Sequence, residues 1–371
     1  MKQISQLANP HIRDVPVYEP GRPIEEVARE LGLNPKSIIK LASNENPLGP
    51  SPKALSAMRS AIKKAHLYPD GGGFYLRRAL AKKFGLQLEN VVLGNGSNEI
   101  IELLGHAFLS AGDEVVVSDH AFAVYDIVTK LFAANVVTAP EKNFCHDLDV
   151  MLARVTSRTK LVFITNPNNP TGTMVGERDI ERFIERVPPQ VIVAFDEAYY
   201  EFLQRPPNTL RYVKDGRPVV VMRTFSKIVG LAALRIGYGL MSAEIASLLQ
   251  RVRQPFNVNA VAQAAALASL DDTAHIRRTR KVVAQGRAYL EREFKKLGIE
   301  FIPSAGNFIM LKVGDPSADS GQSGKKIFDA LLRRGIIVRP LASYRLPEWI
   351  RVTVGTMPQN RRFIAVLRVA L

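Results

Sequence analysis

The amino-acid sequence predicts an α/β protein, with a mostly parallel sheet covered on both faces followed by a smaller α+β unit. Three observations predict it. Short apolar, β-branched runs fall at residues 91–93, 114–117, 161–165, 191–195 and 219–222. Stretches with the period of an amphipathic helix lie between several of them, at 99–109, 124–132 and 178–187. Apolar strands alternating with helices are what a parallel sheet buried on both sides requires, and right-handed crossovers follow. Beyond residue 255 the pattern changes to a helical region over 258–297, shorter strands at 308–313, 336–338 and 350–354, and helices at 325–334 and 360–369.

In chain order, the first 47 residues are rich in Pro and Asn and read as an extended arm with one short helix at 24–31. Strand and helix signals alternate from residue 52. The turn at Gln254-Pro255-Phe256 marks a boundary. The expected division is an arm over 1–47 packing with the small domain, a large domain over 48–255 and a small domain over 256–371. There is no internal repeat and no low-complexity tract.

Composition narrows the function classes. The 371 residues are 46% hydrophobic and 23% charged, an ordinary globular balance. A single cysteine, Cys145, excludes an intrachain disulfide and a Cys-based zinc site, and six scattered histidines argue against a structural metal. No run reaches 18 apolar residues, so no membrane span is expected. The start lacks an apolar signal core, and a reducing cytoplasm is the expected location. The net charge of +15 admits two readings, an anionic partner or an Arg-rich soluble surface. The basic clusters at 277–281 and 361–362 sit in helix-like stretches and read as solvated faces.

Four polar signatures sit directly after predicted strands, where an open α/β sheet binds ligands. Gly94-Asn95-Gly96-Ser97-Asn98-Glu99 follows the first run and opens a helix. Asn166-Pro167-Asn168-Asn169-Pro170-Thr171-Gly172 follows 161–165, and Asp196-Glu197-Ala198-Tyr199 follows 191–195. Thr224-Phe225-Ser226-Lys227 follows 219–222, with Arg235 eight residues beyond Lys227. Singly, each has a bland reading: a tight turn, a surface carboxylate, a solvated lysine. Together and in this order they point to one site.

These pieces carry a family resemblance. With Tyr18-Glu19-Pro20-Gly21, Ser43-Asn44-Glu45-Asn46-Pro47, Tyr68-Pro69-Asp70, Leu234-Arg235 and the run from Arg351 to Thr356, they resemble the fold-type-I pyridoxal-phosphate (PLP) enzymes of the aminotransferase superfamily. The resemblance covers nearly the whole chain and is greatest to the histidinol-phosphate branch. It implies the PLP-dependent transferase fold, with a large domain holding a mostly parallel seven-stranded sheet between helices and a smaller α+β domain. It also implies pyridoxal 5′-phosphate as cofactor.

The chemistry of that cofactor suits the residues. PLP needs a lysine amine that bonds to its aldehyde carbon, and Lys227 is the candidate. An ammonium is no nucleophile, so its pKa must fall in the site, and a neighbouring cation such as Arg235 pushes that way. Asp196 is expected to hold the proton of the pyridine nitrogen. By resemblance, Asn169 and Tyr199 donate to the 3′-oxygen, and Tyr199 joins Lys227 and Asp196 as catalytic. The phosphate needs donors, expected from the N–H groups of Ser97 and Asn98 at a helix start, the hydroxyls of Thr224 and Ser226, and the fork of Arg235. By resemblance, Tyr68 reaches the phosphate bound to a partner subunit, so a homodimer is expected. Phe122 matches the family's ring-stacking position, with a core aromatic as the alternative.

At the substrate end, Arg351 is expected just after a strand and matches the superfamily arginine that grips a carboxylate. Arg339 matches the additional arginine that takes a substrate phosphate, with an exposed strand-end arginine as the alternative. Tyr18, Asn44 and Asn307 complete the expected substrate shell. His146 reads as structural. Two departures from the family stand out: Asn98 where many relatives carry Asp, and Ala233 where Gly is common. Neither removes a catalytic group. The resemblance implies amino transfer between a phosphorylated amino alcohol or amino acid, L-histidinol phosphate first, and a 2-oxo acid such as 2-oxoglutarate. Alternatives are an aminotransferase for Phe or Tyr, a PLP-dependent decarboxylase of a phosphorylated amino acid, and a nucleic-acid-binding protein on the same fold. The arm is too short for a helix-turn-helix module, so neither nucleic acid nor membrane is expected as a partner.

Overall fold

The strand β1 (Ile39–Lys40) lies in the arm. Then come β2 (Val91–Gly94), β3 (Glu114–Ser118), β4 (Asn135–Ala139) and β5 (Thr159–Thr165). They are followed by β6 (Ile192–Asp196), β7 (Val219–Thr224) and β8 (Gly237–Leu240). The later part of the chain adds β9 (Phe301–Ile302), β10 (Phe308–Lys312), β11 (Ile336–Ile337), β12 (Arg339–Leu341) and β13 (Leu346–Thr353). The structure, a computed structural model, describes residues 4–18, 20–313 and 323–371. Glu19, quoted above within the piece at 18–21, lies outside the described residues.

Strands β2 to β8 form one seven-stranded sheet in the order β2-β8-β7-β6-β5-β3-β4. Only β8 runs antiparallel to its neighbours; every other pair is parallel. The inner strands are largely apolar because successive side chains enter different cores. Val193 and Phe195 pack into the cluster on one face, Ile192 and Ala194 into the cluster on the other. Strands β4 and β8 are absent from the sequence expectation. In β8 two glycines dilute the strand signal, and one has a packing reason. A Cβ on Gly237 would stand 2.4 Å from Ser97 N, where a helix begins directly over the strand.

The second sheet is antiparallel, ordered β12-β13-β10-β9. The arm joins this part of the chain. β1 pairs in parallel with β11, and Val27 and Ile38 pack with Leu332 and Ile337. The single helical region expected over 258–297 is in fact two helices, Ala260–Ser269 and Thr273–Lys296. Asp272 makes the break: its carboxylate accepts from His275 N at 3.3 Å and caps the second helix. Among the described residues no helix is long and apolar enough to cross a membrane.

Candidate active site

The carboxyl ends of β5, β6 and β7 open into a cavity of about 330 Å³. Asp196, the last residue of β6, is 4% exposed there. Its Oδ2 accepts from Tyr125 Oη at 2.9 Å, and its Oδ1 from Ala198 N at 3.2 Å. Burial pushes its pKa up to about 6, against the pull of those two donors and of Lys227. Lys227 Nζ donates to Ser43 O at 3.0 Å. Burial, then Arg351, brings its pKa down to about 8, with Arg235 adding a smaller push. Tyr199 Oη accepts from Asn44 Nδ2 at 2.8 Å, and burial raises its pKa to about 12 against Arg351 and that bond.

One end of the cavity is a cup of donors. The helix Ser97–Phe108 starts after Gly96, at φ 77, and no side chain caps its first turn. Its N–H groups therefore point to the cavity with the positive end of the helix dipole. Arg235 lies across this turn: a Cβ on Gly96 would stand 2.6 Å from its Nη2. Thr224 Oγ1 donates to Ser226 Oγ at 3.0 Å on the opposite side. Asn98 lines the same space, while the neighbouring Glu99 turns away to accept from Asn257 Nδ2 at 2.6 Å.

The walls are aromatic and the mouth is cationic. Phe122 is half-buried on the cavity wall, edge-on to Tyr125 at 5.8 Å. Arg351 lies inside β13, not after a strand, because β13 runs on past it to Thr353. Its Nη2 donates to Ala42 O at 2.8 Å and its Nη1 donates to Asn169 Oδ1. Its Nε is buried with no hydrogen-bond partner among the described residues. Arg339 begins β12 and is the direct register partner of Arg351. Its guanidinium stands 6.0 Å from the Tyr18 ring.

Two expected residues lie outside this cavity. Tyr68 is 83% exposed and stacks on Phe256 at 4.8 Å. Asn307 is fully buried, and its Nδ2 donates to Asn44 O at 2.9 Å and so holds the arm. His146 is also buried, with Nε2 at 3.0 Å from Thr165 O. Residues that the sequence reading missed are Tyr125, Thr165, Tyr344 and the Ser43 carbonyl. Tyr125 carried one signal, its place one helical turn after Phe122. Among the described residues no group of three or more His, Cys, Asp or Glu is placed to hold a metal.

The donor set fits PLP. The cup suits a phosphate, a buried carboxylate without a cation in hydrogen-bond contact among the described residues suits a protonated ring nitrogen, and an amine of lowered pKa suits an aldehyde. The fold and this site define a PLP-dependent enzyme of fold type I. The profile of the aminotransferase class I and II family matches residues 36–367, and the chain belongs to that family. It is 50% identical over 369 residues to the histidinol-phosphate aminotransferase of Akkermansia muciniphila, covering 99% of each chain. The corresponding protein of Moorella thermoacetica is 46% identical over 360 residues, covering 96% of this chain and 91% of its own. The solved histidinol-phosphate aminotransferase of Sinorhizobium meliloti, in complex with pyridoxal-5′-phosphate, superimposes with a TM-score of 0.88 at 27% identity, covering 98% of both chains.

Proposed function

We propose that the chain transfers the amino group of L-histidinol phosphate to 2-oxoglutarate with PLP as cofactor, a step of histidine biosynthesis. The observation that carries this reading is the cross-strand pair Arg339–Arg351 at the mouth of a cavity whose floor holds Lys227 and Asp196. Two guanidinium forks suit a substrate phosphate in one half-reaction and carboxylates in the other. An aromatic amino acid offers a carboxylate for one fork and no phosphate for the second.

Bound in this cavity, PLP supplies a carbonyl carbon that takes the amino group and a protonated ring that accepts the electrons left when the substrate Cα–H bond breaks. Asp196 holds the proton at the ring nitrogen. It is ionised above about pH 6, so it serves this role at neutral pH. Lys227 Nζ would serve as the base that takes the substrate Cα proton and as the acid that returns it. A pKa of about 8 suits both halves of that task. Because Arg351 Nη1 engages Asn169 Oδ1, the Nδ2 of Asn169 is left to donate into the cavity, and with Tyr199 Oη it would hold the cofactor's 3′-oxygen. Ser97, Asn98, Thr224, Ser226 and Arg235 would hold the phosphate, and Phe122 would cover the ring. Tyr18 and Asn44 close the substrate side, with Asn307 acting through Asn44.

We further propose a homodimer in which Tyr68 reaches the partner's phosphate site. The exposed ring pairs Tyr68–Phe256 and Phe74–Tyr75 support it, since monomers rarely leave large apolar patches uncovered. The division into 1–47, 48–255 and 256–371 and a cytoplasmic location belong to the same reading. The deciding experiment compares kcat/KM for L-histidinol phosphate, phenylalanine and tyrosine, each with 2-oxoglutarate. The phosphate substrate is expected to lead, and a larger value for either aromatic amino acid would overturn the assignment.

A further inference from the structure

We propose that Thr353 is a positioning residue for the reaction: its hydroxyl fixes the orientation of the Asn44 amide, which in turn directs the phenolic hydrogen of Tyr199 into the cavity. The proposal rests on the reading that Tyr199 meets the cofactor. Thr353 ends β13, is 4% exposed, and does not itself line the cavity.

The argument is one of donors and acceptors. Thr353 Oγ1 accepts from Asn44 N at 2.9 Å and donates to Asn44 Oδ1 at 3.2 Å. A threonine hydroxyl has one hydrogen, and the two ends of an asparagine amide differ. Giving that hydrogen to Oδ1 therefore turns Nδ2 toward Tyr199, where it donates to Oη at 2.8 Å. Tyr199 then has only its own hydrogen left to give, and no acceptor for it is found among the described residues outside the cavity. With the amide flipped, Oδ1 would face Tyr199 and take that hydrogen, removing the donor from the site. The surroundings hold Asn44 for this purpose. Its backbone is left-handed, at φ 55, and Asn307 Nδ2 donates to its carbonyl at 2.9 Å.

Arg351 and Thr353 are two apart on β13 and share a face. Arg351 donates to Ala42 O, Thr353 Oγ1 accepts from Asn44 N, and both partners lie in one arm segment. The strand that grips the substrate anion thus also sets the donor at the cofactor.

The test uses Thr353→Val, which keeps the shape without the hydroxyl, and Thr353→Ser, which keeps the hydroxyl. In the cofactor-free protein labelled at tyrosine Cζ, with Tyr199 assigned by Tyr199→Phe, the Tyr199 resonance is expected to move in Thr353→Val and to stay in Thr353→Ser. Thr353→Val is expected to raise the PLP dissociation constant about ten-fold, Thr353→Ser less than about two-fold, and Thr353→Val in the Tyr199→Phe background less than about two-fold. Equal losses in Val and Ser, an unmoved resonance, or a full additive loss on Tyr199→Phe would each overturn the role of Thr353 alone. If Tyr199→Phe by itself leaves PLP affinity unchanged, the reading that Tyr199 meets the cofactor fails, and this proposal with it.

Discussion

Arg339 and Arg351 face one another across β12 and β13 as direct register partners. Like charges directly opposite in an antiparallel pair destabilise a sheet, and both side chains border the cavity. Burial lowers the pKa of Arg351, and Arg339 pushes the same way. Two guanidinium groups that border one cavity are suited to an anion that bridges them.

Arg339→Gln is therefore expected to raise KM for L-histidinol phosphate about 10- to 100-fold, the loss of one charge-assisted contact. The melting temperature is expected to change no more than for a surface substitution, as for a side chain that serves the ligand rather than the core. Steady-state kinetics and a thermal melt check both halves; an unchanged KM with a lower melting temperature would assign the arginine to structure.

Tyr125→Phe removes a donor that favours ionised Asp196. Asp196 must be ionised to act, so activity falls as pH drops through its pKa. Losing the donor raises that pKa further, and the acid limb of the pH–rate profile is expected to move upward by about one to two units. A limb that stays in place, or moves down, contradicts the pairing.

Lys227 must be neutral to bond to the cofactor. With its pKa lowered to about 8, the rate at which cofactor-free protein takes up PLP is expected to rise with pH and level off near that value. Stopped-flow uptake measurements test this, and a rate still climbing past the ordinary lysine range would show an unperturbed amine. Lys227→Ala is expected to lower turnover by about 100- to 10,000-fold or more.

Glu197 and Arg223 form a buried ion pair at 2.8 Å beside Asp196 and Thr224. Arg223 also lies over the Tyr200 ring at 3.6 Å. Glu197→Gln leaves the guanidinium without its counter-charge and is expected to cost about 3–5 kcal/mol of stability. Denaturant unfolding measures it, and a change within the scatter of surface substitutions would mean that water compensates the arginine.

Much of the site was legible because its chemistry is local in sequence. Asp196, Thr224, Ser226 and Lys227 each sit at or just past the end of an apolar strand, and strand ends place them together. What escaped depends on distant partners. The pairing of Arg339 with Arg351 is a matter of register, which no local pattern fixes. Tyr125 looks like any core aromatic until Asp196 is opposite its hydroxyl. Asn307 is read as a substrate contact in sequence, while the structure shows its Nδ2 donating to the carbonyl of Asn44, a contact that no local pattern encodes. The break before Thr273 hides in one capping aspartate, and the glycines of β8 conceal a strand whose shape is set by the helix start above it.

The central claim is that Lys227 carries the cofactor at the carboxyl edge of the large sheet. Borohydride reduction of the PLP-loaded protein followed by peptide mass mapping tests it most directly. The account predicts a pyridoxyl group on Lys227 and its loss from that peptide when substrate is added first. A group fixed on another lysine, such as Lys40 beside Glu45 in the arm, or no fixed group at all, would contradict it.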